Sequence, residues 1–172
     1  MKRLWEQIAK ASAPLSNLAV VLVALLLGGV VVSTHLERLR NSKVSLTVGQ
    51  TVSLDHYHWA EHRRTYMLAV HSSCKSCWDS IPFARELLTH AGMPGGNAVV
   101  LVFPLEDDHD AEFVRSVGHD VGHLKANFTA IGIKQTPTLI EVNSSGQLVR
   151  YWQGVFEGKG AEKVIQQILK EG

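Results

Sequence analysis

Residues 66–91 read YMLAVHSSCKSCWDSIPFARELLTHA, and the fold turns on this stretch. Tyr66 to His71 is a compact apolar run of the kind that fills a strand buried on both faces. Cys74 and Cys77, the chain's two cysteines, follow at once in one Cys-Lys-Ser-Cys tetrapeptide. Trp78 to Ala91 then reads as a helix, so Cys74 stands at a helix N-terminus. Unpaired backbone N–H groups and the macrodipole favour negative charge there, and a thiolate, not a thiol, is the nucleophile in sulfur exchange. The spacing sets the second sulfur one turn on, close enough to close a disulfide. A structural disulfide is the competing reading, but so small a loop stabilises little. The pair reads as a redox dithiol.

Working outward, the chain alternates strands and helices. Val48 to Val52 suggests a turn and a short extended segment, with His56 to Arg64 unassigned. Gly92-Met93-Pro94-Gly95-Gly96 breaks the helix, and Asn97 to Phe103 (NAVVLVF) is a second buried strand. Pro104 and the acidic loop Glu106-Asp107-Asp108-His109-Asp110 lead into a helix from Ala111 to about Val117, with Asp108 or Asp110 as its N-cap. Leu124 to Ile131 is expected to hold another helical turn. Pro137 precedes an apolar strand, Thr138 to Val142. Asn143-Ser144-Ser145-Gly146 is a hairpin signal with Leu148 to Trp152 as the returning strand. A last helix, Ala161 to Lys170, carries Val164, Ile165, Ile168 and Leu169 on one face. This order predicts an α/β fold, a mixed sheet with helices on its faces. Cys74 falls just past a strand's carboxyl end, where open α/β folds collect functional residues.

The 172 residues are 45% hydrophobic and 19% charged, with a formal net charge of +1. That suits one domain with a real core plus an appendage, and near-neutral charge with no Lys/Arg run argues against nucleic acid as a partner. The apolar excess lies at the N-terminus: from Ala11 to Leu36 there is no Asp, Glu, Lys or Arg. Residues 15–34 are long enough for a membrane span, which needs about 20 mostly apolar residues. A secretory signal is the rival reading, with Lys2, Arg3 and Lys10 as its basic region and Val31-Val32-Ser33 as a cleavage site. The apolar core exceeds the roughly 7–15 residues usual for such a signal, which favours an uncleaved anchor. The expected organisation is a tail at 1–14, a transmembrane anchor at 15–34, a juxtamembrane linker at 35–44 and a globular domain at 45–172. Basic residues flank both ends of the anchor, and the free amino terminus tips the balance toward a cytoplasmic N-terminus.

With these features in place, the chain resembles the thioredoxin superfamily, and within it the membrane-anchored TlpA/ResA-like thiol-disulfide oxidoreductases. The resemblance rests on the strand YMLAVH, the CKSC at a helix start, Pro82 inside that helix, and Thr136-Pro137-Thr138 before the hairpin. It covers about Val48 to Leu169. It implies a thioredoxin-like mixed sheet flanked by helices, preceded by one transmembrane helix. The implied activity is exchange with protein thiols and disulfides on the non-cytoplasmic, periplasmic side of the inner membrane. Cys74 would be the nucleophile and Cys77 the resolving thiol. Pro137 would match the family's cis-proline, and the backbone of Thr136 would pair with an extended substrate segment as an added strand. The Cys74–Cys77 disulfide would serve in place of any cofactor, and a separate redox partner would regenerate the dithiol. Three positions depart from the family pattern. Ser73 stands where Trp usually precedes the first cysteine, Lys75-Ser76 lacks proline, and Ser80 occupies the place of a common glutamate. Lys75, His71 and Trp78 are the candidates for tuning the dithiol, Lys75 because a nearby cation favours a thiolate.

Nine histidines invite a metal reading. His56, His58 and His62 cluster, His119 and His123 would share a helix face if their segment is helical, and His109 sits among aspartates. Solvated loop histidines are the plainer account, and no metal site is assigned. Two other classes remain beside the oxidoreductase. One is a copper metallochaperone using Cys74, Cys77 and a histidine, although such relatives space their cysteines differently. The other is a redox-inactive binding module on the same fold.

Overall fold

In the computed structural model, the apolar run after Arg64 forms the central strand of a five-stranded sheet. The strands are β1 (Arg64–Ala69), β2 (Asn97–Pro104), β3 (Gly122–Ala126), β4 (Thr138–Asn143) and β5 (Leu148–Gln153), arranged β3-β2-β1-β4-β5. β1 runs parallel to β2 and antiparallel to β4, β3 is parallel to β2, and β5 returns antiparallel along β4. Residues 23, 25–30, 45–55, 57–91, 96–118 and 121–171 are described.

Because side chains alternate along a strand, β1 feeds two cores. Tyr66, Leu68 and Val70 join Leu101, Phe103 and Leu139 beneath the helices α2 (Ile81–Ala91), α3 (Asp110–Val117) and α5 (Gly158–Glu171). Met67 and Ala69 join Val100, Val102, Ile140 and Val142 on the opposite face, covered by Leu46, Val52 and the short helix α4 (Phe128–Ile131). A buried charge lies within the sheet: Glu141 on β4, 1% exposed, is held by Arg64 and Arg150, each 2.5 Å away. A buried charge persists only when paired and hydrogen-bonded, and both carboxylate oxygens are taken.

Three sequence expectations need correction. The helix after the dithiol is two helices, α1 (Lys75–Asp79) and α2, with Ser80 between them. Pro82 has no N–H and its ring crowds the carbonyl one turn back, so an unbroken helix through this point is disfavoured. The Leu124–Ile131 segment holds the expected helical turn as α4 (Phe128–Ile131), while its first residues, Leu124 to Ala126, belong to the strand β3, which the sequence did not announce. Asn127 caps α4, its side chain accepting the Ala130 N–H at 3.1 Å. Gly132 ends α4 at φ +88, where a Cβ would meet the Ser45 backbone at 2.9 Å. Neither Asp108 nor Asp110 is the N-cap of α3: His109 holds that position without a side-chain cap bond. Leu169 is 46% exposed, so it leaves the buried face formed by Val164, Ile165 and Ile168.

The chain divides into two compact units, Met1–Lys43 and Val44–Gly172. In the first, residues 23 and 25–30 are helical, and Val23, Leu25, Leu26, Leu27 and Val30 are exposed. The remainder of the expected anchor at 15–34, the tail at 1–14 and the linker at 35–44 lies outside the described residues. Among the described residues no helix is long and apolar enough to cross a membrane.

Candidate active site

The strand directions bring separate loops to one sheet edge. β1 ends where β4 begins, with Ala69 paired to Thr138. Cys74, in the loop after β1, therefore meets Thr136, in the loop before β4. Cys74 Sγ lies 3.5 Å from the Thr136 carbonyl oxygen. The Thr136–Pro137 peptide bond is cis, Pro137 is buried, and Thr136 and Cys74 are half-buried.

Cys74 adopts an extended backbone and caps α1: its sulfur accepts the Cys77 N–H at 3.3 Å, the part a serine or aspartate oxygen usually plays. Its own N–H donates to the His71 carbonyl at 3.0 Å. Cys77 is fully buried, and both cysteines are free thiols. Burial pushes the Cys77 thiol up to about 12, and donation to Cys74 adds to the shift. Hydrogen bonds from the His71 backbone and the Thr136 side chain oppose it by favouring the thiolate. One sulfur is thus reachable and the other is kept protonated one turn below it.

The candidate tuning residues divide. Lys75 is not aimed at the sulfurs: its ammonium is exposed and pairs with Asp79 at 2.7 Å. Trp78 packs edge-on against Phe113, with centroids 5.1 Å apart, and its indole N–H donates to the Ser72 carbonyl at 2.6 Å. It therefore braces the loop before Cys74. His71 is close to that loop too, with Nδ1 3.1 Å from the Ser73 nitrogen and 3.0 Å from its hydroxyl. Ser80, in the glutamate position, is 1% exposed. Its hydroxyl donates to the Ser76 carbonyl at 2.8 Å and accepts the Phe156 N–H at 3.1 Å, so it ties α1 to the segment before α5.

Sequence reading missed Asp107. Its carboxylate, from the loop after β2, accepts the Ser72 N–H at 2.7 Å, the Ser72 hydroxyl at 2.5 Å and the His109 N–H at 3.1 Å. His71 Nδ1 is 3.6 Å from it. Burial pushes the carboxyl up, but these donors outweigh it and hold Asp107 below the usual carboxylate value. The histidine clusters do not assemble among the described residues. His58 and His62 flank a 3₁₀ turn, His123 sits on β3, and His56 and His119 lie outside the described residues.

The unequal burial sets an expectation for labelling. With iodoacetamide at pH 7, the reduced chain is expected to take up one label, at Cys74. Labelling of Cys77 should rise only as the pH climbs toward about 12, or on unfolding in urea. Peptide mass mapping reads both sites, and equal labelling of the native protein at pH 7 would contradict the asymmetry.

No protein-family model and no curated protein sequence matches the chain. Solved structures do. A Chlorobium tepidum protein assigned as the thiol:disulfide interchange protein DsbE superposes with a TM-score of 0.59 at 21% identity, over 73% of this chain and 98% of that one. The thioredoxin domain of a Bacteroides vulgatus thiol-disulfide oxidoreductase gives 0.56 at 14% identity, over 73% and 99%. StoA from Bacillus subtilis gives 0.51 at 14%, over 71% and 95%. At these identities the likeness is one of fold, and that fold is thioredoxin-like.

Proposed function

We propose that this protein is a thiol-disulfide oxidoreductase that acts on protein disulfides and dithiols through Cys74 and Cys77. The observation that carries the reading is the half-buried Cys74 sulfur, 3.5 Å from the Thr136 carbonyl beside cis-Pro137, with a fully buried second thiol one turn on. The structural neighbours, named for the same chemistry, support it. In the reducing direction the Cys74 thiolate attacks a substrate disulfide, forming a Cys74–substrate disulfide and releasing one substrate thiolate. Cys77 then gives up its proton and attacks Cys74. The Cys74–Cys77 disulfide forms, the second substrate thiolate leaves, and two electrons have passed to the substrate. In the oxidising direction every step reverses. The backbone at Thr136 and Pro137 is the surface on which an extended substrate segment lies.

A cycle needs a partner that restores the dithiol or the disulfide. The sulfurs themselves carry the electrons, so no further cofactor is assigned. Tethering is part of the proposal: residues 15–34 anchor the chain in the inner membrane, with the domain on the periplasmic side. The unbroken apolar run from Leu18 to Val32 supports this.

Two experiments test these parts separately. Cys77→Ser is expected to accumulate a mixed disulfide with insulin or with scrambled, disulfide-containing protein substrates, and Cys74→Ser to accumulate none. If wild type and Cys74→Ser reduce insulin at equal rates, the exchange reading is wrong. For the tether, the full chain should stay with membranes after an alkaline carbonate wash, while a chain starting at Ser45 should be released. Release of both would remove the anchor from the proposal.

A further inference from the structure

We infer that Asp107 is a positioning residue for the exchange reaction: by clamping Ser72 it holds the segment His71–Ser73, whose carbonyls accept the Cys74 N–H and the Trp78 indole N–H at the two ends of α1. The inference rests on the oxidoreductase reading and adds to it a group from a different loop.

Burying a carboxylate is costly unless charge partners and hydrogen bonds compensate. The Asp107 side chain is 1% exposed, and it is spent on this loop. Two of its donors belong to Ser72, the backbone N–H and the hydroxyl. Its own carbonyl accepts from Lys125 Nζ on β3, which fixes the clamp to the sheet. From the clamped segment, contacts reach both sulfurs' surroundings. The His71 carbonyl accepts the Cys74 N–H, and the Ser72 carbonyl accepts the Trp78 indole N–H, so both ends of α1 are tied to it.

The clamp bears hardest on Cys77. Ser80 offers no carboxylate to take this thiol's proton, and its hydroxyl is occupied by Ser76 and Phe156. What favours the Cys77 thiolate is the His71 backbone and the Thr136 side chain. The first of these is fixed in place through Ser72 and Asp107. Loosening it leaves Cys74 reachable and makes the resolving sulfur slower to deprotonate.

Ellman's reagent, an aromatic disulfide, separates the two steps in the full chain. In the first, Cys74 attacks the reagent, a Cys74–nitrothiobenzoate disulfide forms, and one nitrothiobenzoate leaves. In the second, Cys77 loses its proton to solvent and attacks Cys74. The Cys74–Cys77 disulfide forms and the second nitrothiobenzoate leaves, the pair having been oxidised and the reagent reduced by two electrons. Each unit by which the resolving thiol's pKa rises cuts its thiolate about tenfold, and greater nucleophilicity returns about threefold. Asp107→Ala is therefore expected to slow the second release about threefold or more while changing the first less than about twofold. Asp107→Asn keeps an acceptor for the Ser72 N–H and should recover part of the rate. Ser72→Ala, a change at a half-buried position, should also slow the second release, and it decides the matter if Asp107→Ala does not fold. A second release within about twofold of wild type in the folded variants overturns the positioning role, as does an equal fall in both releases. If wild type itself gives no second release, the exchange reading fails, and the inference with it.

Discussion

The antiparallel pairing of β1 with β4 is the constraint on which the site depends. It sets the end of one strand against the start of the other, with Ala69 opposite Thr138, so that Cys74 and Thr136 meet across a sequence separation of 62. The parallel pairing of β1 with β2 adds a third loop at the same edge, because parallel strands end together. Asp107 arrives by that route. The Cys74 thiol, a cis-proline and a buried carboxylate from three loops are thus juxtaposed by strand polarity, with the two apolar cores of the sheet holding the register.

Within that frame the two sulfurs differ through burial. Cys77 points into the helical-side core with Phe83, Leu87 and Phe113, where a charge is poorly solvated, and its thiol keeps its proton. Cys74 caps α1 from a half-buried position and receives an N–H from Cys77 itself. In the proposed exchange the outer sulfur is therefore the one that meets the substrate, and the inner one acts once a bond at Cys74 gives it something to attack. Lys75, whose charge is adjacent in sequence, takes little part because Asp79 claims it.

Much of this was legible in the chain. The apolar runs at 66–71 and 97–103, the Cys-x-x-Cys spacing and the Asn-Ser-Ser-Gly turn each carry a local signal strong enough to place an element. Sequence reading failed where the deciding partner lies elsewhere in the fold. β3 reads Gly-His-Leu-Lys-Ala, a half-exposed edge strand in which only Ala126 is buried, so it lacks an apolar run to announce it. Asp107 lies in a loop with Glu106, Asp108 and Asp110, and nothing local sets it apart. Only the arrival of Ser72 from the neighbouring loop does. Ser80 looked like the loss of an acid, whereas its hydroxyl joins α1 to Phe156.

Exchange requires that Cys74 and Cys77 form one reversible dithiol-disulfide couple in the folded protein. The most direct test is to equilibrate the chain in thiol-disulfide buffers of graded potential and count free thiols by mass after acid quenching. A single two-electron transition is expected, with a midpoint above about −300 mV, the range of exchange-active pairs. A midpoint well below about −300 mV, as for structural disulfides, or a pair that never equilibrates with the buffer, would contradict it.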